Sequence, residues 1–206
     1  MTKTKAQFGQ DLMVLDYHNN KKNGTYLEIG VHDGENGNNT YILDKDYNWQ
    51  GVCIDPFMKN MKNRTCQQFN VALGSKPGLT KFIGDESSGL SGLDGYVNNK
   101  EHNNMHFNKV NNFPKNEVLV RKPLDVLKET NLPKVIDYMS LDVEGSEMDI
   151  LEIFPFDKYC IKYSTIETNN DKNKEKKMES FMKSKGYKFL THKNVDHVFI
   201  NDCKYF

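Results

Sequence analysis

The sequence lacks any apolar run approaching the roughly 20 residues that cross a bilayer, so no membrane span is expected. Residues 1–8 lack the apolar core of a signal peptide. Cysteine is sparse, and Cys53, Cys66, Cys160 and Cys203 form no CxxC pair, which disfavours a zinc site and reads as four buried free thiols. A reducing, cytoplasmic setting is the matching expectation. An excess of one charge is also missing. Lys+Arg and Asp+Glu are 28 each, and a net charge of zero disfavours a general polyanion surface and hence nucleic acid. Neither GxGxxG nor a P-loop occurs, so a phosphate cradle is disfavoured. Internal repeats and linkers are absent too, and 206 residues suit one domain spanning 1–206.

What is present is an alternation of short apolar runs with amphipathic stretches. Strands are expected at 25–31, 51–55, 68–73, 79–83, 118–121, 136–143 and 159–167, with a closing antiparallel pair at 187–190 and 197–201. Helices are expected at 8–18 (Phe8, Leu12 and Leu15 inward), 39–44, 56–61 behind Pro56, and 123–130. Two more are expected, from Ser146 with Asp149 as a capping box, and at 173–185 with Met178, Phe181 and Met182 inward. Residues 84–116 are rich in Gly, Ser, Asn and His without periodicity, and a loop of this length in a compact domain is usually functional. It reads as a lid or substrate insertion. His102 and His106 within it read as lid histidines rather than a metal pair, because no HExxH frame surrounds them.

Alternating strands and helices imply a mostly parallel sheet with helices on both faces and ligands at the carboxyl ends of its strands. Four such ends carry acids: Glu28 to Gly34, Asp55, Asp142 to Gly145, and Glu167. Stacked carboxylates are costly unless something cationic or rich in hydroxyls sits among them. Asp55 follows the glycine turn at about the 20-residue spacing of a ribose-binding acid. Acids flanking glycines, without a phosphate cradle, suit S-adenosylmethionine (SAM), with its sulfonium, amino-acid end and ribose. Asp142 and Glu144 lie two apart on an extended strand and share a face. Such a pair can take a proton from a hydroxyl or hold a divalent cation that acidifies it, and Glu167 is a third ligand. Glu144 and Asp149 can also serve merely to favour the following helix dipole.

The ordered set GTYLEIGVHDG (24–34), Asn39-Thr40, WQGVCIDP (49–56), Asn70-Val71-Ala72, Ser91-Gly92, DYMSLDVEGSE (137–147), Ile166-Glu167 and DHVFI (196–200) resembles the FkbM family of SAM-dependent methyltransferases. The resemblance implies the class I methyltransferase (Rossmann-like) fold, an α/β architecture with a seven-stranded, mostly parallel sheet whose last strand is antiparallel. It implies that Glu28, Gly30, Asp33 and Gly34 line the methionine side of SAM and that Asn39 is a further cofactor-binding residue. Asp55 would hold the ribose, Asn70 and Ala72 would lie near adenine, and Asp142 and Glu144 would face the transferred methyl group. The implied activity is O-methylation, foremost of a sugar hydroxyl. Asp142 is the expected base, and Mg²⁺ or Mn²⁺ on Asp142, Glu144 and Glu167 is the alternative use of the same carboxylates. Ser91, Tyr96 and His106 are the candidate acceptor contacts. Other acceptors (natural-product, lipid or protein) and a non-catalytic interaction module stay open.

Overall fold

The structure, a computed structural model, describes residues 3–103 and 106–206. In chain order the elements are α1 (Gln10–Tyr17), β1 (Thr25–Ile29), α2 (Tyr41–Tyr47), β2 (Gln50–Ile54), β3 (Gln67–Phe69), β4 (Ala72–Leu73), β5 (Gly78–Ile83), β6 (Gly92–Leu93) and β7 (Lys115–Arg121). There follow α3 (Pro123–Leu127), β8 (Val135–Leu141), α4 (Glu147–Ile153), β9 (Cys160–Glu167), α5 (Lys172–Ser184), β10 (Lys188–Lys193) and β11 (Asp196–Ile200). Seven strands form one sheet in the order β10-β11-β9-β8-β1-β2-β3, and β11 alone runs antiparallel to its neighbours. This mixed α/β, mostly parallel sheet is consistent with a Rossmann-like fold.

Alternation along the strands divides the core. Leu27, Ile29, Met139, Leu141 and Ile166 pack with α3, α4 and α5 through Val126, Ile150, Leu151, Met178 and Met182. Tyr26, Cys53, Tyr138 and Tyr163 pack with α1 and α2 through Val14, Leu15, Ile42 and Leu43. Strand β8, central in both order and burial, carries its continuous apolar run into the rim where the acids lie.

Several local expectations are corrected. The expected strand at 68–73 is two strands, because Val71 N–H donates back to Phe69 O (2.9 Å) and turns the chain. Its second half joins β7, β5 and β6 in a separate four-stranded sheet, which also takes the segments expected at 79–83 and 118–121. The helix expected at 56–61 does not form. Asp55 Oδ1 accepts the Phe57 N–H (2.7 Å), and Lys59 pairs with the glycine turn through Lys59 N to His32 O and Gly34 N to Lys59 O (both 2.8 Å). A single 3₁₀ turn, Met61–Asn63, follows instead.

In α1 the buried face is Gln10, Asp11, Val14 and Leu15, and Leu12 is exposed. Asp11 turns inward to bind Thr4 Oγ1 and the Lys5 and Ala6 N–H groups (2.6–3.1 Å). The capping box on α4 is not made: Ser146 makes no side-chain cap, and Asp149 instead binds Ser75 N (3.0 Å) and Oγ (2.8 Å). Cys160 and Cys203 form a disulfide, whereas Cys53 and Cys66 are free and buried. Strands β9 and β11 are adjacent, which brings the ends of a 43-residue separation together. Cysteine usage therefore gives no support to a reducing compartment. Among the described residues, no helix is long and apolar enough to cross a membrane.

Candidate functional site

The carboxyl ends of β1, β2, β8 and β9 open on a cavity of about 380 Å³, within the range of small-ligand sites. The small sheet closes one wall through Ala72, Leu73, Phe82 and Leu93. Residues 89–93 and His106 add another, so the segment 84–116 reaches the cavity while Val97 and Val110 anchor it to Ile83. Of the residues singled out from sequence, Glu28, Gly30, Asp33, Asn39, Asp55, Ala72, Ser91, His106, Asp142, Glu144 and Glu167 line this one space. Gly34, Asn70 and Tyr96 are not among its lining residues. A Cβ on Gly34 would meet Met61 Sδ at 2.4 Å, Asn70 is exposed, and the Tyr96 ring packs on His102.

The first turn is built by the protein's own contacts. Gly30 has φ +84°, and a Cβ there would fall 1.6 Å from the Asp142 carbonyl oxygen, so glycine is required by the junction of β1 with β8. Asp33 Oδ1 accepts the Glu35 and Asn36 N–H groups (2.9 and 3.0 Å), which hold its carboxyl below the usual range against the penalty of burial. Asp55 accepts from His32 N (3.0 Å) and Phe57 N (2.7 Å), yet burial still pushes its carboxyl up. Each of its oxygens keeps a lone pair for a further donor.

Glu28 lies lower. Its Oε2 accepts from Thr40 Oγ1 (2.7 Å) and sits 3.7 Å from Arg64 Nη2. Burial raises its carboxyl, and the Arg64 charge opposes that rise. Arg64 is fully enclosed, donating to Asp44 Oδ2, Gly34 O, Asn38 Oδ1, Tyr26 OH and Thr40 Oγ1 (2.6–3.0 Å). Sequence reasoning missed this residue, since nothing in the run around it marks a buried cation.

The second turn differs. One ligand-capable atom each from Asp142, Glu144 and Glu167 lies within 4.8 Å of the others. Burial, then the charges of Glu144 and Asp196, push the Asp142 carboxyl well above the usual carboxylate range. Burial and Glu147 push Glu144 up to about 7. Burial, with Asp142 and Glu144 beside it, pushes Glu167 well above its ordinary value. The turn is strained at Glu144 (φ 57°) and held by Glu147 Oε1, which accepts from Val143 N (3.1 Å) and Gly145 N (3.0 Å). Glu147 Oε2 in turn pairs with Lys174 Nζ at 2.6 Å. Asn103, from the 84–116 segment, donates to Glu144 Oε2 (3.2 Å).

Asn169 was also missed. It sits in a left-handed conformation just past β9, lines the cavity, and donates to Glu167 Oε2 (2.9 Å), while its buried Oδ1 has no hydrogen-bond partner among the described residues. Its position two residues after a strand-ending acid was the available signal. The Asn39 side chain, expected from sequence, is placed alike: Nδ2 donates to Ser140 Oγ (2.9 Å) and Oδ1 has no partner among the described residues.

A sheet rim with this cavity defines a small-ligand α/β protein, and comparison with known families narrows it. The Methyltransferase FkbM domain matches residues 28–189, most of the chain. The chain belongs to the FkbM methyltransferase family, and it is a methyltransferase. No curated protein and no solved structure matches it.

Proposed function

We propose that the protein is a SAM-dependent O-methyltransferase whose acceptor is a hydroxyl, foremost that of a sugar. The observation that carries this reading is the convergence of Asp142, Glu144 and Glu167 on the cavity, one ligand-capable atom of each within 4.8 Å of the others. The donor set fits the cofactor. Asn39 Oδ1 and Asn169 Oδ1 are buried acceptors without partners among the described residues, on a cavity of suitable size, and ammonium or amine N–H groups would satisfy them. Asp55, with a lone pair free on each oxygen, suits the ribose hydroxyls. Glu28, Gly30, Asp33 and Asn39 would border the methionine end and Ala72 the adenine. When bound, SAM supplies an electrophilic methyl group on a positive sulfur.

A carboxylate cluster without a cation holds protons, and a positive centre in the cavity favours its ionised forms. Asp142, at the end of the central strand, then accepts the proton of the acceptor hydroxyl on a carboxylate oxygen. Glu144 is held by Asn103 beside it. Ser91 and His106 border the acceptor, and the 84–116 segment limits access of water. The same three carboxylates are hard oxygen ligands for Mg²⁺ or Mn²⁺, which would acidify the hydroxyl directly.

The test is transfer of labelled methyl from SAM to a panel of glycans, lipids, peptides and small phenols, with and without a chelator. Labelled glycan is the expected product, and label only in another acceptor class overturns the sugar assignment. Activity that survives the chelator assigns the proton to Asp142 without a metal. Calorimetry gives the cofactor arm. Asp55→Ala is expected to weaken SAM about tenfold or more, equivalent to roughly 1.4 kcal/mol, and unchanged affinity would remove Asp55 from the ribose site.

A further inference from the structure

Away from the cavity, the closing hairpin and α5 bring together a second set of ligating side chains. His192 on β10 and His197 on β11 are cross-strand partners, and their Nδ1 atoms lie 3.1 Å apart. Two carboxylates one helical turn apart on α5, Glu175 and Glu179, belong to the same cluster. Glu179 Oε1 lies 2.9 Å from His197 Nε2. A carboxylate there accepts, so His197 carries its proton on Nε2 and turns the lone pair of Nδ1 toward His192. Glu175 is 6% exposed; its Oε2 takes Lys172 (2.8 Å), but Oε1 is buried with no hydrogen-bond partner among the described residues. One ligand atom each of Glu175, His192 and His197 lies within 4.8 Å of the others.

We propose that Glu175, His192 and His197 form a binding site for a divalent transition cation of the zinc class, fastening α5 to the β10–β11 hairpin. Tetrahedral Zn²⁺ with two imidazole ligands separates their nitrogens by about 3.3 Å, close to the spacing here. Two imidazoles and a carboxylate are the donor set that suits Zn²⁺. Glu179 supplies the outer carboxylate that orients a ligating histidine. A lone N–H···N bond between the histidines would explain their approach but not the unpartnered oxygen of Glu175.

The scarcity of paired cysteines had disfavoured zinc, but these ligands are histidines drawn together by a hairpin and a helix. The cluster is distinct from the rim. The chain neighbours of its ligands serve other partners, Lys174 binding Glu147 (2.6 Å) and Asp196 accepting from Gln10 (2.7 Å).

The experiment uses the full chain without an affinity tag, stripped with a chelator, and titrated with Zn²⁺ by calorimetry and with Co²⁺ by visible absorption. The expected result is saturable Zn²⁺ binding with the visible bands of nitrogen-ligated, four-coordinate Co²⁺. His192→Gln, at an exposed position, should weaken Zn²⁺ at least tenfold and bleach those bands, with an unchanged circular dichroism spectrum. Glu179→Gln should weaken it about ten- to a hundredfold. Asp142→Asn, altered at the rim, should leave both signals intact. The proposal is overturned if the wild type shows no saturable Zn²⁺ binding up to about a hundred micromolar. It is equally overturned if His192→Gln binds Zn²⁺ and Co²⁺ as the wild type does, or if binding is lost only in Asp142→Asn.

Discussion

On the β1–β2 side of the rim, Glu28 and Asp44 are buried around Arg64, which donates to Asp44 and to four neighbouring oxygens and sits 3.7 Å from Glu28. On the β8–β9 side, Asp142, Glu144 and Glu167 face one another across the cavity, and the nearby Lys174 is drawn to Glu147. Both sides carry acids at strand ends. One set is compensated by the fold, and the other is held at raised proton affinity by burial and by mutual repulsion. Glu28 and Asp44 are therefore balanced by a cation of the fold, whereas the acids of the second side are left open to one supplied by a ligand. Electrostatic balance, rather than the presence of carboxylates, separates the two.

The sharpest way to break this comparison is to neutralise one member of each side. Asp142→Asn is expected to lower turnover by about 10²–10⁴-fold, the range for a general base, with SAM affinity retained. Its urea midpoint, measured with chelator present, should not fall, because the amide replaces a carboxyl whose ionised form burial and its acidic neighbours already disfavour. A stability loss with normal turnover would reverse the roles of the two sides. Arg64→Met should do the opposite, costing about 3–5 kcal/mol in urea unfolding because Glu28 and Asp44 are left buried without their cation. Adding Glu28→Gln and Asp44→Asn to it should recover part of that loss.

Lys174→Met probes the boundary between the sides. Lys174 is nearly enclosed, and its removal leaves Glu147 charged among three other acids. The expected cost is about 3 kcal/mol of stability, the low end for a broken buried pair. Glu147 also holds the Val143 and Gly145 N–H groups, so turnover should fall with it. If Lys174→Met lowers activity without lowering the unfolding midpoint, Lys174 belongs with the reacting groups and the division shifts by one residue.

The parts of this arrangement that could be read in the sequence are those written along a single segment. The runs 25–31 and 136–143 end in glycine and acid, so β1, β8 and their turns were legible, as was Asp55 at its spacing. Met178 and Met182 on α5 follow from helical period alone. What was illegible is assembled from distant segments. Arg64 gathers partners from residues 26 to 44, and nothing local marks it as buried. The second sheet depends on β4 and β6, two residues each, too short to show alternation. Cys160 and Cys203 are neighbours only because β11 returns beside β9. Ser146 and Asp149 have the spacing of a capping box, but Ser75 offered Asp149 a better-placed N–H and hydroxyl. Gly30 lines the cavity as the resemblance implied, but what requires a glycine there is the carbonyl of Asp142, on a distant segment.

The smallest expected effect lies on β8 itself, whose two ends repeat the contrast. Asp142 follows the strand at the cavity, whereas Asp137, near its start, binds Lys21 (2.7 Å), Lys162 (3.0 Å) and the Thr25 N–H (3.0 Å). Burial would raise the Asp137 carboxyl, but the two lysines hold it below its ordinary value. A depressed carboxyl contributes stability that is complete above the unfolded-state value, about 4. The contribution is lost as pH falls through the lower folded value. The lysines are more than a third exposed and screened by solvent, so the contribution is about 1 kcal/mol and should shrink in high salt. Unfolding midpoints of wild type and Asp137→Asn should therefore differ at pH 7 and converge below pH 4. If the gap persists undiminished at acid pH, Asp137 acts through its shape and its bond to Thr25, and charge compensation at this end of β8 contributes nothing.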